Sequence, residues 1–251
     1  MGAIAIILAR AGSKGLPSKN TLLVAGKPCA MWTVETARAA SAISRVVVST
    51  DSLELQRLAL EAGVDVVARP ASLATDDARV DDAARHALQT VDESGVCDPV
   101  VILYGNVPVR PAGLLDRAIA TLNKTGADSV QSYAPVGKFH PAWTCKIDAQ
   151  SSRVIPWEGD TLWAGAHRRQ DLAPAFIPDG GVIAVTRSAL TWRPVDASAA
   201  DVAGPHAFLG ADHRAIINGA GDVVDIDSRV DLLVADAILR ERADQAKGDH
   251  L

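Results

Sequence analysis

Apolar runs alternate with amphipathic segments through the first half of the chain. The runs that predict buried strands are 4–8, 45–49, 64–67, 99–103 and 129–133. The segments with helical spacing of apolar residues are 31–40, 53–62, 80–91 and 112–122. Strands that alternate with helices in this way indicate an α/β fold, a doubly wound and mostly parallel sheet. Ligands bind such a sheet at the carboxyl ends of its strands.

The periodicity is lost between residues 134 and 176 and then returns. This stretch contains Trp143, Trp157 and Trp163 together with several prolines. A segment of this length without periodicity is typical of a lid, an insertion or an interface. Strands are predicted beyond it at 181–185, 214–217 and 222–226, and a closing helix at 229–243. We therefore predict one domain over residues 1–251, with 134–176 as a dimerisation or lid insert.

Composition narrows the function classes. The 251 residues are 48% hydrophobic and only 4% aromatic, which predicts a core of Ala, Val, Leu and Ile. The net charge of −5 argues against nucleic acid as a partner. Cys29, Cys97 and Cys145 lack metal-site spacing and are expected to be reduced core thiols of a cytoplasmic protein. The apolar run 4–8 is too short to cross a membrane, so no membrane partner is expected.

The loop after the first strand carries the strongest chemical signal. It contains two glycines, Gly12 and Gly15, among the cations Arg10, Lys14 and Lys19. Glycines allow backbone N–H groups to approach an anion closely, and the cations add charge-assisted hydrogen bonds. The spacing matches neither a Walker loop nor a dinucleotide fingerprint. We interpret the loop as a phosphate-binding loop of another kind; a surface turn with solvated lysines is the alternative.

Two carboxylates near the carboxyl terminus are candidate magnesium ligands. Asp225 and Asp227 flank Ile226 at the end of a predicted strand, where alternation places both acids on one face. Mg²⁺ that bridges to substrate phosphates is bound by one or two such carboxylates. As an alternative, Asp227 or Ser228 serves as the N-cap of the closing helix.

The opening loop, Ile7-Leu-Ala-Arg-Ala-Gly-Ser-Lys-Gly-Leu-Pro-Ser-Lys-Asn20, resembles the signature of the acylneuraminate cytidylyltransferases, also called CMP-sialic acid synthetases. Further segments resemble the family in the same order along nearly the whole chain: 48–51, 68–70, 73–76, 108–110, 140–141, 169–170, 175–176 and 225–227. The resemblance implies an enzyme in which the anomeric hydroxyl of a nonulosonic acid attacks the α-phosphorus of CTP. The CMP-sugar forms and pyrophosphate leaves.

The resemblance also implies roles for individual residues. Arg10, Ser13 and Lys19 would contact the triphosphate. The cytidine would be held by the side chains or backbone of Leu8, Ala9, Asn20, Arg69 and Ala78. Asp225 and Asp227 would hold Mg²⁺. Arg169 would assist catalysis from an insert that reaches towards the partner's active site in a homodimer.

The acceptor half departs from the family pattern. Tyr104 stands where the bacterial enzymes carry a glutamine that touches the sugar, Trp143 replaces a lysine, and Ile177 replaces an arginine. We predict an acceptor pocket formed by Tyr104, Asn106, Arg110, His140, Trp143 and Gln170, with His140 alternatively a packed loop residue. The acid stays open among sialic, Kdo-like, pseudaminic, legionaminic and phosphonate compounds. A nucleotide-binding homologue without turnover is the other alternative.

Overall fold

The computed structural model describes residues 2–12, 15–162, 168–192 and 204–248. Its strands are β1 (Ala3–Leu8), β2 (Leu23–Val24), β3 (Lys27–Pro28), β4 (Ile43–Thr50), β5 (Asp65–Ala68), β6 (Val100–Tyr104), β7 (Ser129–Pro135), β8 (Cys145–Ile147), β9 (Val154–Pro156), β10 (Phe176–Val185) and β11 (His213–Ile217). The helices of the described residues are α1 (Cys29–Ala39), α2 (Leu53–Glu61), α3 (Val80–Val91), α4 (Leu114–Thr125), α5 (Arg187–Thr191) and α6 (Arg229–Gly248).

Seven strands form the central sheet in the order β11-β7-β10-β6-β1-β4-β5. Every neighbouring pair is parallel except those of β10, which runs antiparallel to both β6 and β7. The predicted α/β class with a mostly parallel sheet is therefore confirmed. The two strands at the centre, β1 and β6, end side by side at Leu8 and Tyr104. Their carboxyl ends define the edge at which a ligand is expected.

Helices cover both faces of β1, and this explains its uninterrupted apolar sequence. Ile4 and Ile6 lie in one buried cluster with Leu88 of α3, whereas Ala5 and Ile7 lie in another with residues of α1 and α4. All six residues of β1 are buried. A strand buried on both faces needs apolar side chains at every position, as parallel sheets require.

The predicted strand at 222–226 is wrong. In this segment only Val224 pairs, in a single antiparallel bridge to Val109. Ile226 is fully buried and Asp227 is exposed, whereas residues 222–225 are all partly buried. Val109, the partner of Val224, lies in the loop after β6, so the segment packs on a loop instead of a strand edge. A short apolar pattern in the sequence does not distinguish these arrangements.

Between β7 and β10 the chain leaves the sheet and forms a segment that we call the arm, residues 136–175. It contains 3-10 turns and the β8–β9 hairpin, and residues 141–155 are all exposed. Large apolar side chains are exposed along it: Phe139, Trp143, Ile147, Val154, Ile155 and Trp157. Cys29 and Cys97 are buried as expected, but the expectation that Cys145 is a core thiol is wrong, because it lies exposed on β8. Among the described helices, none has the length and apolar character needed to cross a membrane.

Candidate active site

The opening loop is anchored to the carboxyl end of β4, the strand beside β1. The N–H of Ala9 donates to the carbonyl of Ser49 (3.1 Å), and the N–H of Ala11 donates to Asp51 Oδ1 (2.7 Å). Farther along the loop, Asn20 Nδ2 donates to the carbonyl of Arg10 (2.9 Å). The two ends of the loop are thereby held together over the sheet edge.

The cationic loop and the acidic segment meet in one place. Lys19 Nζ lies 2.6 Å from Asp227 Oδ1. A Cβ built on Gly15 would stand only 2.7 Å from the carbonyl oxygen of Asp227, so the loop backbone packs directly on the acidic segment. Glycine is required at this position for space. The two features that the sequence placed 208 residues apart therefore form a single site.

Asp225 is a partly buried carboxylate of this site. Its Oδ1 accepts a hydrogen bond from Asn106 Nδ2. Burial, and then the negative charge of Asp227, raise the pKa of Asp225 to about 6. A nearby cation would stabilise the charged form of such a carboxylate. Together, Asp225 and Asp227 present hard oxygen donors that suit Mg²⁺, but the described residues contain no group of three or more metal-ligating side chains. A metal here would need further ligands from a substrate.

Asp227 does not cap the helix that follows it. Ser228 Oγ accepts from the N–H of Asp231 (3.4 Å), and Asp231 Oδ2 accepts in return from the N–H of Ser228 (2.8 Å). This reciprocal pair is a capping box at the start of α6. Because Ser228 and Asp231 provide the cap, the side chain of Asp227, which is 71% exposed, is directed to Lys19.

A cleft of about 170 Å³ opens beside the loop. Its lining includes these residues from the predicted site: Leu8, Arg10, Lys19, Asn20, Arg69, Ala78, Tyr104 and Asn106. Sequence reasoning did not assign the remaining lining residues, which come from the segment before α3 and its first turns: Leu73, Thr75, Asp76, Arg79, Val80 and Ala83. Asp76 pairs with Arg10 at 2.5 Å. The family-like segment 73–76 was the available signal, but no role in the site was assigned to its residues from the sequence.

Two side chains of the cleft show how it is prepared for a polar ligand. Arg69 is buried and donates to Ser49 Oγ (3.2 Å) and to the carbonyl of Ser49 (2.7 Å). Burial lowers its pKa to about 10, so it stays charged at neutral pH. The Oδ1 atom of Asn20 is buried and has no hydrogen-bond partner among the described residues. A buried acceptor without a partner carries a free-energy penalty that a bound donor would remove.

Arg110 lies beneath the site and binds its own chain. It is 5% exposed and donates to the carbonyls of Gly181 (2.6 Å) and Tyr104 (3.1 Å) and to Thr33 Oγ1 (2.8 Å). A further bond reaches the carbonyl of Val107. The contacts shown by the structure therefore support the loop after β6, and the predicted acceptor contact stays a prediction.

The remaining predicted residues lie on the arm or outside the description. His140 accepts from the N–H of Ala142 (3.2 Å), and its Nε2 lies 2.9 Å from the carbonyl of Ala173, so its ring joins two parts of the arm. Gln170 is exposed, and Trp143 packs edge-on against His140. Arg169 begins a 3-10 turn, but its side chain is not described, and Ser13 and Lys14 lie outside the described residues along with Trp163. Gly12 has open space around it.

Residues 4–145, which include the loop, the cleft and most of the sheet, match the cytidylyltransferase family. The chain belongs to the cytidylyltransferase family.

Named relatives within this family act on different acids. The chain is 32% identical over 184 residues to an N-acylneuraminate cytidylyltransferase of Streptococcus agalactiae, a match that covers 72% of the chain and 43% of that protein. It thus spans less than half the length of this relative. A CMP-N,N'-diacetyllegionaminic acid synthase of Legionella pneumophila is 36% identical over 158 residues, covering 62% of the chain and 67% of the relative.

The fold extends the likeness beyond the matched sequence. A CMP:2-keto-3-deoxy-manno-octonic acid synthetase, solved in complex with CTP, superposes with a TM-score of 0.68. The superposition covers 96% of this chain and all of that one at 18% identity. At this identity the likeness establishes the fold alone.

The capping box yields a prediction that separates Asp227 from its helix. Ser228→Ala removes the cap and is expected to lower the free energy of unfolding by about 1 kcal/mol. Asp227→Ala should change it far less, because its carboxylate is exposed and its ion pair is of the weak surface kind. Urea unfolding followed by circular dichroism measures both. A loss in Asp227→Ala equal to that in Ser228→Ala would return Asp227 to a capping role.

Proposed function

We propose that this chain transfers CMP from CTP to the anomeric hydroxyl of a nonulosonic, sialic-type sugar acid and releases pyrophosphate. The observation that carries the proposal is the contact between Lys19 and Asp227, because it joins the phosphate-binding loop to the acidic pair. Membership of the cytidylyltransferase family supports CTP as the nucleotide. The names of the streptococcal and Legionella relatives support an acidic nine-carbon sugar as acceptor.

The site's own residues would do most of the work by positioning and charge neutralisation, which dominate phosphoryl transfer. Arg10 is paired with Asp76, and Lys19 is paired with Asp227. We infer that a triphosphate takes over both cations, because surface ion pairs of this kind contribute only about 0–1 kcal/mol. Asn20 and Arg69 would hold the cytidine in the cleft. Asp225 and Asp227 would hold Mg²⁺, which when bound would neutralise phosphate charge next to the reacting phosphorus.

The acceptor is the less determined substrate. Tyr104 lies beside Gly180, and the backbone of Gly180 also faces Asp225 Oδ2. An acceptor hydroxyl bound near Asp225 would therefore contact Tyr104 and Gly180. Ile177 is 55% exposed and brings no positive charge to bind a sugar carboxylate. This departure keeps Kdo-like, pseudaminic and legionaminic acids and phosphonates as alternative acceptors. It also keeps a homologue that binds CTP without turnover as the rival function.

One assay decides between these functions. Pyrophosphate release is measured with CTP, Mg²⁺ and a panel of N-acetylneuraminic, legionaminic, pseudaminic and Kdo acids and a phosphonate. We expect release with the sialic-type acids; release with another member alone would reassign the acceptor. Measurable CTP binding without release from any acid would favour the binding-only alternative. Absence of both would contradict the proposal.

The loop cations should be essential to turnover and not to folding. Arg10→Ala or Lys19→Ala removes a positive charge from the developing phosphate charge, and we expect kcat to fall about 10²- to 10³-fold. Lys247→Ala is the matched control, because Lys247 is an exposed lysine with its own carboxylate partner on α6. Circular dichroism spectra should be unchanged in all three. Normal turnover in the loop variants would show that the loop has been misinterpreted.

We further propose a homodimer built through the arm. Several large apolar side chains of the arm are exposed: Phe139 is 76% exposed and Trp157 is 53% exposed. Exposed apolar patches mark protein–protein interaction sites. In such a dimer, Arg169 and Gln170 would approach the partner's cleft.

The cytoplasmic location stays an expectation that rests on the cysteine content.

A charge placed on the arm should weaken this dimer. Phe139→Glu puts a carboxylate into the proposed interface, and we expect at least a tenfold increase in the dimer dissociation constant by analytical ultracentrifugation. Leu53→Glu is the matched control, because Leu53 is 81% exposed on α2, away from the arm. A wild-type chain that is monomeric at micromolar concentration would contradict the dimer.

A further inference from the structure

Asn106 joins the loop after β6 to the acidic segment. Its Nδ2 donates to Asp225 Oδ1 and also to the carbonyl of Ile226 (3.2 Å). Its own backbone carbonyl accepts from the N–H of Ile226 (2.9 Å). Side chain and main chain of one residue therefore bind the same short segment, and the side chain is only 9% exposed.

These bonds fix which way the amide faces. A carboxylate and a backbone carbonyl only accept hydrogen bonds, so the NH₂ group of Asn106 must face Asp225 and Ile226. Both of its N–H bonds are used in this way. Asn106 therefore has no amide N–H left over in this arrangement, and the acceptor contact expected from the sequence stays a prediction.

The bond to Asn106 also decides which oxygen of Asp225 is engaged. Oδ1 accepts from the amide, whereas Oδ2 faces the turn at Gly180, 3.6 Å from the position of a Cβ built there. Rotation of the carboxylate would break this bond and leave a partly buried charge without it. Oδ1 is thus held by the protein, whereas Asn106 does not engage Oδ2.

The loop that carries Asn106 is itself held from below. Arg110 and Thr33 both donate to the carbonyls of Tyr104 and Val107, on either side of the segment that contains Asn106. All four of these residues are buried or nearly so. Because the backbone around Asn106 is held in place, its side chain holds the carboxylate of Asp225 in a fixed position.

We propose that Asn106 is a positioning residue that orients Asp225 to bind a divalent cation shared with CTP. The inference rests on the proposed function, because it takes Asp225 as a metal ligand. A hydrogen-bonded residue behind a ligand typically contributes 10- to 100-fold to metal affinity. Asn106 would supply this contribution without touching either substrate.

The test measures Mn²⁺ binding, so that it does not depend on turnover. Mn²⁺ is titrated into the full chain with saturating CTP and followed by electron paramagnetic resonance. Asn106→Leu keeps the size of the side chain and removes its donors, and we expect the Mn²⁺ dissociation constant to rise 10- to 100-fold. CTP affinity measured with EDTA should change less than twofold.

Asn218→Leu is the matched control. Asn218 is 4% exposed, and its Nδ2 donates to Asp179 Oδ2 (2.7 Å), so it holds a different carboxylate in a similar way. The Asn218→Leu variant should have a lower free energy of unfolding than the wild-type chain but the same Mn²⁺ affinity. If Asn106→Leu does not fold, Asn106→Ser is used, because it leaves room for a bridging water; an intermediate rise in the dissociation constant is then expected.

A double-mutant cycle with Asp225→Asn tests the route of the effect. If Asn106 acts through Asp225, adding Asn106→Leu to Asp225→Asn should weaken Mn²⁺ binding less than twofold further. Unchanged Mn²⁺ binding in Asn106→Leu together with a raised KM for the acid would overturn the inference and restore the acceptor contact. A wild-type chain that binds CTP but no Mn²⁺ would overturn the proposed function and this inference together.

Discussion

The contact between the opening loop and the acidic segment is the constraint on which the site depends. Lys19 binds Asp227, and Gly15 leaves no room for a side chain between the loop and the backbone of Asp227. Under the proposed function, opposite charges at this distance would bind both a polyanion and its cation. If the two features lay apart, the cationic loop would bind only anions, and the carboxylates of Asp225 and Asp227 would repel each other.

Two cations of the site are paired with carboxylates. Arg10 pairs with Asp76 and Lys19 with Asp227. The carboxylates of these pairs are at least partly exposed, and such pairs are weak. Under the proposed function, a phosphate chain would replace them at small cost. Asp225 differs, because its burial and then the charge of Asp227 raise its pKa to about 6, so a nearby cation would stabilise its charged form.

The described contacts differ between the sheet and the arm. Arg69 and Arg110 follow strands of the central sheet and donate to backbone carbonyls. Among the described residues, the side chain of His140 on the exposed arm contacts other arm residues. The family match covers residues 4–145, which include the cleft and only the first part of the arm. Under the proposed function, the nucleotide half of the site is therefore better supported than the acceptor half.

The sequence by itself determined the alternating elements, since a strand buried on both faces must be apolar throughout, as β1 is. It also determined the chemistry of the opening loop, because glycines and cations are local features. It did not determine the structure around Val224, where an apolar pattern typical of a strand forms only a single bridge. Nor did it determine that Ser228 and not Asp227 caps the last helix. Tertiary structure alone decided that Asp76 binds Arg10, that Arg110 is buried and that Asn106 faces Asp225. These are contacts between residues far apart in the chain, and local pattern contains no information about which distant partner a polar side chain will meet.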